Sequence, residues 1–242
     1  MKLLVSKRPL LKKLLRRAGK RWLAWKYRHF SPDEGATGYV KVAGLTLLLD
    51  RTVFDPRLHF TSRFFAVYLR RGAVVPKRGR VLDMGTGSGL LAISAALAGA
   101  GHVTAVDLNA AAVLSARLNV AQYGLGGKVE VEQGDMFEPV KGERFDLIVC
   151  NPPYLKGEPT SEGTLAYMAG DDYQWLRRFA RDAAGHLASG GRCLLVLADS
   201  TDLSVVLDIF RRSGWAVRLM ARRDLIVERL FIVELIVQGK GL

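Results

Sequence analysis

The tetrapeptide Asn151-Pro152-Pro153-Tyr154 sets an amide, two rigid imino acids and a phenol directly after the apolar run FDLIVC at 145–150. The lone pair of an amide or aromatic amino nitrogen is delocalised and points the wrong way for in-line attack on an electrophile. The Asn151 side-chain oxygen and the Pro152 carbonyl can each accept one N–H of such a nitrogen, turning its lone pair by positioning and charge placement. An oxygen nucleophile arriving without donors would leave the Asn151 acceptor unpaired, so the arrangement discriminates. Pro152 and Pro153 cannot continue a sheet ladder and hold a rigid, extended exit. Tyr154 can lay its ring against a planar group. No Cys or His has to act as nucleophile, because the nitrogen can lose its proton after transfer. A proline-rich loop that merely ends a strand would look the same in isolation, so the meaning of the tetrapeptide depends on what lies beside it.

A second set of residues supplies that context. Asp83-Met84-Gly85-Thr86-Gly87-Ser88-Gly89 lies between an apolar run and a helical pattern, the place where an open α/β sheet binds ligands. Gly85, Gly87 and Gly89 allow a tight turn and close approach of a ligand to the backbone. The dinucleotide fingerprint GxGxxG is not met, since the third glycine comes one residue early and Leu90 stands at the fingerprint position. Asp83, before the first glycine, suits the cationic amino group of a methionine-type moiety better than a pyrophosphate. Asp107, followed by Leu108, stands at the end of the next strand, where a carboxylate accepts from ribose hydroxyls. Asp135 and Met136 follow the strand after that, offering an acceptor and a flexible thioether to an adenine ring. Acids at these places favour a nucleoside without phosphates. Thr86 completes the expected cofactor set.

These residues must be positioned by alternating strands and helices. Strands are expected at 81–84, 102–107, 128–133, 145–150, 192–198, 215–221 and 229–237, with helices over 62–71, the stretch after Gly89, 109–123, 172–189 and 202–213. Alternation of this kind implies an α/β fold, a mostly parallel sheet covered on both faces. The short link between the last two strands predicts one antiparallel strand near the C-terminus. Before this body, GYVKVAGLTLLLD reads as a hairpin over 38–50 turning at Ala43-Gly44.

Composition bounds the rest. The chain of 242 residues, 49% hydrophobic, can bury one α/β core and has no room for a second catalytic domain. Its formal charge is +13, yet residues 1–30 alone hold eleven Lys or Arg and no acid, whereas the remainder holds 25 basic against 23 acidic residues. The basicity therefore belongs to an arm and linker over 1–37, and the body over 38–242 is close to neutral. Within the arm Leu10, Leu11, Leu14, Leu15, Ala18 and Trp22 recur at helical spacing among Lys and Arg, the pattern of a cationic amphipathic helix. Such a helix suits nucleic-acid phosphates, an anionic membrane surface, a targeting function or plain packing on the body. Cys150 and Cys193 sit in apolar strand-like runs without metal-ligand spacing, which predicts no metal and a reducing, cytoplasmic setting. No apolar run approaches the ~20 residues of a membrane-spanning helix.

Together VLDMGTGSG, AVDLNAAAV, GDMFEPV and FDLIVCNPPYL resemble the class I S-adenosylmethionine-dependent methyltransferases that modify the Gly-Gly-Gln loop of translation release factors on a glutamine N5. The resemblance covers roughly residues 40–237 and implies a Rossmann-like fold with seven strands. It also implies S-adenosyl-L-methionine as cofactor and a monomer acting on a release-factor-like protein. Upstream, Phe54, Pro56 and Arg57 are similar to the Phe-x-Pro-Arg element that borders the cofactor in that family, while Asn151, Pro152 and Tyr154 correspond to the residues that hold the substrate amide. The acidic residue that follows this element in the family has no counterpart in PRLHFTSRFF, and 37 residues before the hairpin cannot build the helical domain with which bacterial members grip their substrate. Asn-Pro-Pro-Tyr also occurs in adenine-N6 methyltransferases, and similar tetrapeptides in guanine-N2 enzymes, so structured RNA stays open as an alternative substrate. A non-catalytic binding module that keeps the fold is the reading of another class.

Overall fold

The computed structural model describes residues 37–57, 60–226 and 228–238. The amphipathic arm expected over 10–22 lies outside them. The described chain opens on a hairpin of β1 (Gly38–Val42) and β2 (Leu45–Leu49), with Gly38 opposite Leu49 and Val42 opposite Leu45. Ala43 and Gly44 both take positive φ, 53° and 78°, as a two-residue turn matching the strand twist requires. Val40, Val42, Leu45, Leu47 and Leu49 are buried on one face.

Helix α1 (Phe60–Arg71) follows, and then strands and helices alternate: β3 (Arg80–Met84), α2 (Leu90–Leu97), β4 (His102–Asp107), α3 (Ala110–Gln122), β5 (Val129–Gln133) and β6 (Phe145–Cys150). After a four-residue helix α4 (Glu162–Leu165) come α5 (Gln174–Asp182), β7 (Leu187–Ala198), α6 (Leu203–Arg212), β8 (Trp215–Asp224) and β9 (Arg229–Val237). The second sheet has seven strands in the order β5-β4-β3-β6-β7-β9-β8, all neighbours parallel except β9, which runs antiparallel to both β7 and β8. The α/β fold with one antiparallel strand near the C-terminus is thus as the sequence predicts. Its central strands are apolar runs with little alternation because both faces are covered: Val81, Leu82, Leu147, Ile148, Leu194 and Leu195 are fully buried.

The strand order fixes where a ligand can sit. From β3 the chain steps outward through β4 and β5, then returns to place β6 on the other side of β3. At such a switch point the connections leave in opposite directions and open a crevice at the carboxyl ends of the strands. Met84 and Cys150 are register partners there, so the glycine loop after β3 and the tetrapeptide after β6 emerge side by side.

Four elements differ from expectation by more than two residues, the first being β8, which runs past the expected end at 221 to Asp224. The helix expected over 172–189 ends at Asp182 and is continued only by a tighter turn over Ala183–His186. Leu187 instead pairs with Phe145, and pairing resumes at Arg192 with Leu147. The strand expected over 192–198 is therefore the regular part of a longer one, whose first residues are pushed out as an irregularity around Gly190 and Gly191. The short helix α4, closed by a reciprocal Ser161 and Thr164 cap, gave no periodic signal because it is a single turn.

Candidate active site

A cleft of about 440 Å³ opens over the carboxyl ends of β3, β4 and β6, within the size range of small-molecule sites. Its floor is the loop after β3. Gly85, Gly87 and Gly89 all have positive φ, and a Cβ on Gly85 or Gly87 would meet only open space, so the backbone lies bare toward the cleft. Four N–H groups of this loop are used internally. Those of Gly85 and Thr86 donate to the Val106 carbonyl, that of Gly87 to Asp107 Oδ2, and that of Gly89 to the Thr86 carbonyl. A pyrophosphate needs such donors free. The loop is a cradle for a ligand without phosphates.

Asp107 accepts from Gly87 N at 2.8 Å and Asn109 N at 3.0 Å, one on each oxygen. Burial pushes its carboxyl up, and these backbone donors pull the other way. Each oxygen retains a lone pair, and the residue lines the cleft beside Leu108. Asp135 and Met136 line the next wall; Asp135 Oδ2 accepts from Arg178 Nη2 at 2.8 Å, and Arg178 reaches the cleft from α5. Phe54 and Pro56 cover the opposite side.

Asp83 sits elsewhere. It is fully buried behind the cleft wall, its Oδ2 accepting from Thr86 Oγ1 at 2.7 Å and from Ala92 N at 2.9 Å. Burial raises its pKa to about 7 against those two bonds. Asp83 Oδ2 ties the glycine loop to the first turn of α2, while its Oδ1 is buried without a partner among the described residues. Gly89 is likewise a packing glycine, its Cβ position 3.3 Å from Ala116 Cβ. Arg57 turns to Asp55, with which it forms an ion pair, and does not line the cleft.

The tetrapeptide enters from β6. Asn151 and Pro153 line the cleft, whereas Pro152 and Tyr154 border a small adjoining slot that shares Asn151 and Phe54. Asn151 Nδ2 donates to Ser62 Oγ at 2.9 Å. Its Oδ1 is buried and has no partner. Leaving a buried amide oxygen unpaired costs about 1–3 kcal/mol, which is a signature of a site awaiting a donor. Burial, with the Glu228 carboxylate nearby, pushes the Tyr154 hydroxyl well above its ordinary range, so it stays protonated. The far side of the slot is closed by Tyr167, whose ring lies 5.3 Å from that of Phe54. Sequence reasoning missed Ser62, Arg178 and the wall formed by Leu165, Ala166 and Met168. Only Ser62 had a signal, its place five residues after Arg57 in the element that resembles a cofactor cover.

The methyltransferase small domain model matches residues 45–217, most of the described chain. The chain belongs to the methyltransferase small domain family. Both crevice-forming loops of this methyltransferase small domain fall inside the match. It is similar to the ribosomal protein uL3 glutamine methyltransferase of Bordetella pertussis, 36% identical over 184 residues, 71% of this chain and 61% of that protein. It is also similar to a putative protein N5-glutamine methyltransferase of Methanocaldococcus jannaschii, 29% identical over 81% of this chain and 97% of that protein. The match thus spans about three fifths of the Bordetella protein's length and nearly all of the Methanocaldococcus one. Among solved structures it shares its fold with the T. thermophilus 16S rRNA N2 methyltransferase in complex with AdoMet and guanosine, with a TM-score of 0.56 and 20% identity over 84% of this chain and 50% of that one. At that identity the likeness shows the fold alone. Among the described residues no helix is long and apolar enough to cross a membrane, and no cluster of His, Cys, Asp or Glu could hold a metal.

Proposed function

We propose that the chain is an S-adenosyl-L-methionine-dependent N-methyltransferase acting on the side-chain amide of a protein glutamine. The observation that carries this reading is the buried, unpartnered Asn151 Oδ1 at the junction of the cleft and the slot. S-adenosyl-L-methionine, when bound, supplies an electrophilic methyl group. Gly85, Gly87 and Leu108 would cradle it, Asp107 would accept from its ribose, Asp135 and Met136 would meet its adenine, and Phe54 and Pro56 would cover it. Asp83 and Thr86 keep the loop in shape from behind.

Toward the substrate, Asn151 Oδ1 takes one N–H of the amide and the Pro152 carbonyl the other. Held by both protons, the nitrogen loses conjugation with its own carbonyl, and its lone pair is left facing the cofactor side of the cleft. The uncharged Tyr154 ring walls the planar group. After transfer the nitrogen sheds one proton to solvent, so no basic side chain is required.

Protein is favoured over RNA as the carrier of that amide. Among the described residues Arg178, which lines the cleft, is paired with Asp135, and Arg57 and Arg177 are paired with Asp55 and Asp172. The glutamine-directed relatives point the same way. The test is to incubate the protein with labelled S-adenosyl-L-methionine and a cell lysate, then divide the products between ribonuclease and protease. Label that survives ribonuclease and is released by protease is expected. Label lost with the RNA would overturn the protein reading.

A further inference from the structure

Asn151 can present either face of its amide to the cleft, and only one face is useful. We infer that Ser62, a residue of α1 outside the tetrapeptide, is the positioning residue that holds the Asn151 amide by its donor end for the proposed amide methylation. The inference rests on the function proposed above.

Ser62 is 7% exposed, lies among the buried residues of α1 and lines the cleft. Its oxygen accepts Asn151 Nδ2 at 2.9 Å. With the donor end of the amide held against α1, the acceptor end faces the cleft, where it has no partner. An amide turned over would aim two N–H donors at the substrate nitrogen and repel the protons it must hold. Without Ser62 nothing else in the hydrogen-bond network of the described residues holds the Asn151 amide.

The bond also joins two parts of the chain 89 positions apart. Asn151 leaves the sheet at β6, whereas Ser62 belongs to the helix that follows the cover formed by Phe54 and Pro56. The place of the Asn151 amide is therefore linked to the docking of α1 on the sheet. Cofactor cover and substrate acceptor are set by one contact.

Two measurements test the inference separately from the function. In the isotope-labelled full chain, the Asn151 side-chain amide signal is identified by its loss in Asn151→Asp. Nuclear Overhauser contacts from its amide protons to the Ser62 β protons are expected; contacts from those protons to the methyl of added S-adenosyl-L-methionine instead would overturn the assignment. In the second, Ser62→Ala is assayed with labelled S-adenosyl-L-methionine and either ribosomal protein uL3 or a release factor bearing a Gly-Gly-Gln loop. It should lower kcat about tenfold, the size of one lost orienting hydrogen bond, while calorimetric affinity for S-adenosyl-L-methionine stays within about twofold of the parent. Ser62→Thr, which keeps the hydroxyl, should recover most of the kcat. A parent enzyme that methylates neither protein counts against the proposed substrate and leaves the amide contacts to decide the orientation. An active parent whose Ser62→Ala variant keeps the full kcat sinks the role given to Ser62.

Discussion

Asn151 Oδ1 and Asp83 Oδ1 are both buried without a partner among the described residues. Asn151 lines the cleft, and its unpaired oxygen is what the role proposed for the tetrapeptide rests on. Asn151→Ala is accordingly expected to reduce methyl transfer by roughly a hundredfold or more, as removal of one oriented transition-state partner does, with calorimetric affinity for the cofactor nearly unchanged. Loss of cofactor affinity in that variant would show Asn151 to be a binding residue instead. Asp83 is fully buried at the end of β3, its Oδ2 tied to Thr86 and Ala92 and its Oδ1 without a partner among the described residues. Its raised pKa of about 7, against 3.8 ordinarily, has a consequence for stability. Between those values the folded chain holds a proton that the unfolded chain has lost, so this group's contribution is full below about pH 4 and declines until about pH 7. The whole effect is bounded at roughly 4 kcal/mol. Asn in place of Asp83 keeps an oxygen for both Thr86 Oγ1 and Ala92 N, since these donate to the same atom. Asp83→Asn should therefore melt higher than the parent at pH 8, with the gap shrinking toward pH 5. Parallel melting profiles across that range would contradict the assignment.

Among the elements, the legible ones were those whose pattern is local. Strands β4, β6 and β9 have the boundaries read from FDLIVC and its counterparts, because apolar runs bounded by glycine or charge admit little else, and α3 is bracketed by its Asn109 cap. The elements misread were those decided by distant partners. Leu187 joins the sheet because Phe145 is there to pair with it, and nothing within 183–191 announces this. The cleft wall around α4 and the arm of Arg178 were likewise invisible, since they face the site only through folding of the 155–170 segment onto α5. The glycine loop shows the reverse case, where similar residue types do different work. Gly87 borders open cleft with φ 55°, and Gly89 packs on Ala116 with φ 81°. Ala at either position bears the cost of a left-handed conformation, roughly 1 kcal/mol. Gly89→Ala must in addition push α3 away, so its melting temperature should fall further than that of Gly87→Ala. Gly87→Ala places a methyl where a ligand would lie, so it should be the one that loses more affinity for S-adenosyl-L-methionine in calorimetry. The reverse ranking would mean that the cofactor approaches the loop elsewhere.

At the scale of the whole molecule, the hairpin is the part least explained by its own sequence, since two strands are marginal alone and need a partner surface. That partner is α3, which extends the sheet edge with side chains. Asn119 is fully buried; its Oδ1 accepts Leu48 N at 2.6 Å, and its Nδ2 donates to the carbonyls of Leu48 and Ser88, each at 2.9 Å. Tyr123 and Gln122 hold Thr46 in the same way. Asn119 thus links the hairpin to the glycine loop, and the segment that leaves the hairpin is the cover carrying Phe54 and Pro56. Hairpin and glycine loop are held by one side chain. Asn119→Ala orphans three backbone groups, that of Ser88 buried and the two of Leu48 partly so, a loss of about 3 kcal/mol, which for a domain of this size lowers the melting temperature by roughly 6–12 °C. If the linkage holds, saturating S-adenosyl-L-methionine should raise the melting temperature of the variant less than that of the parent, because the loop and the cover no longer share an anchor. An equal ligand-induced shift in both proteins would show that the hairpin is fixed to the domain without informing the site.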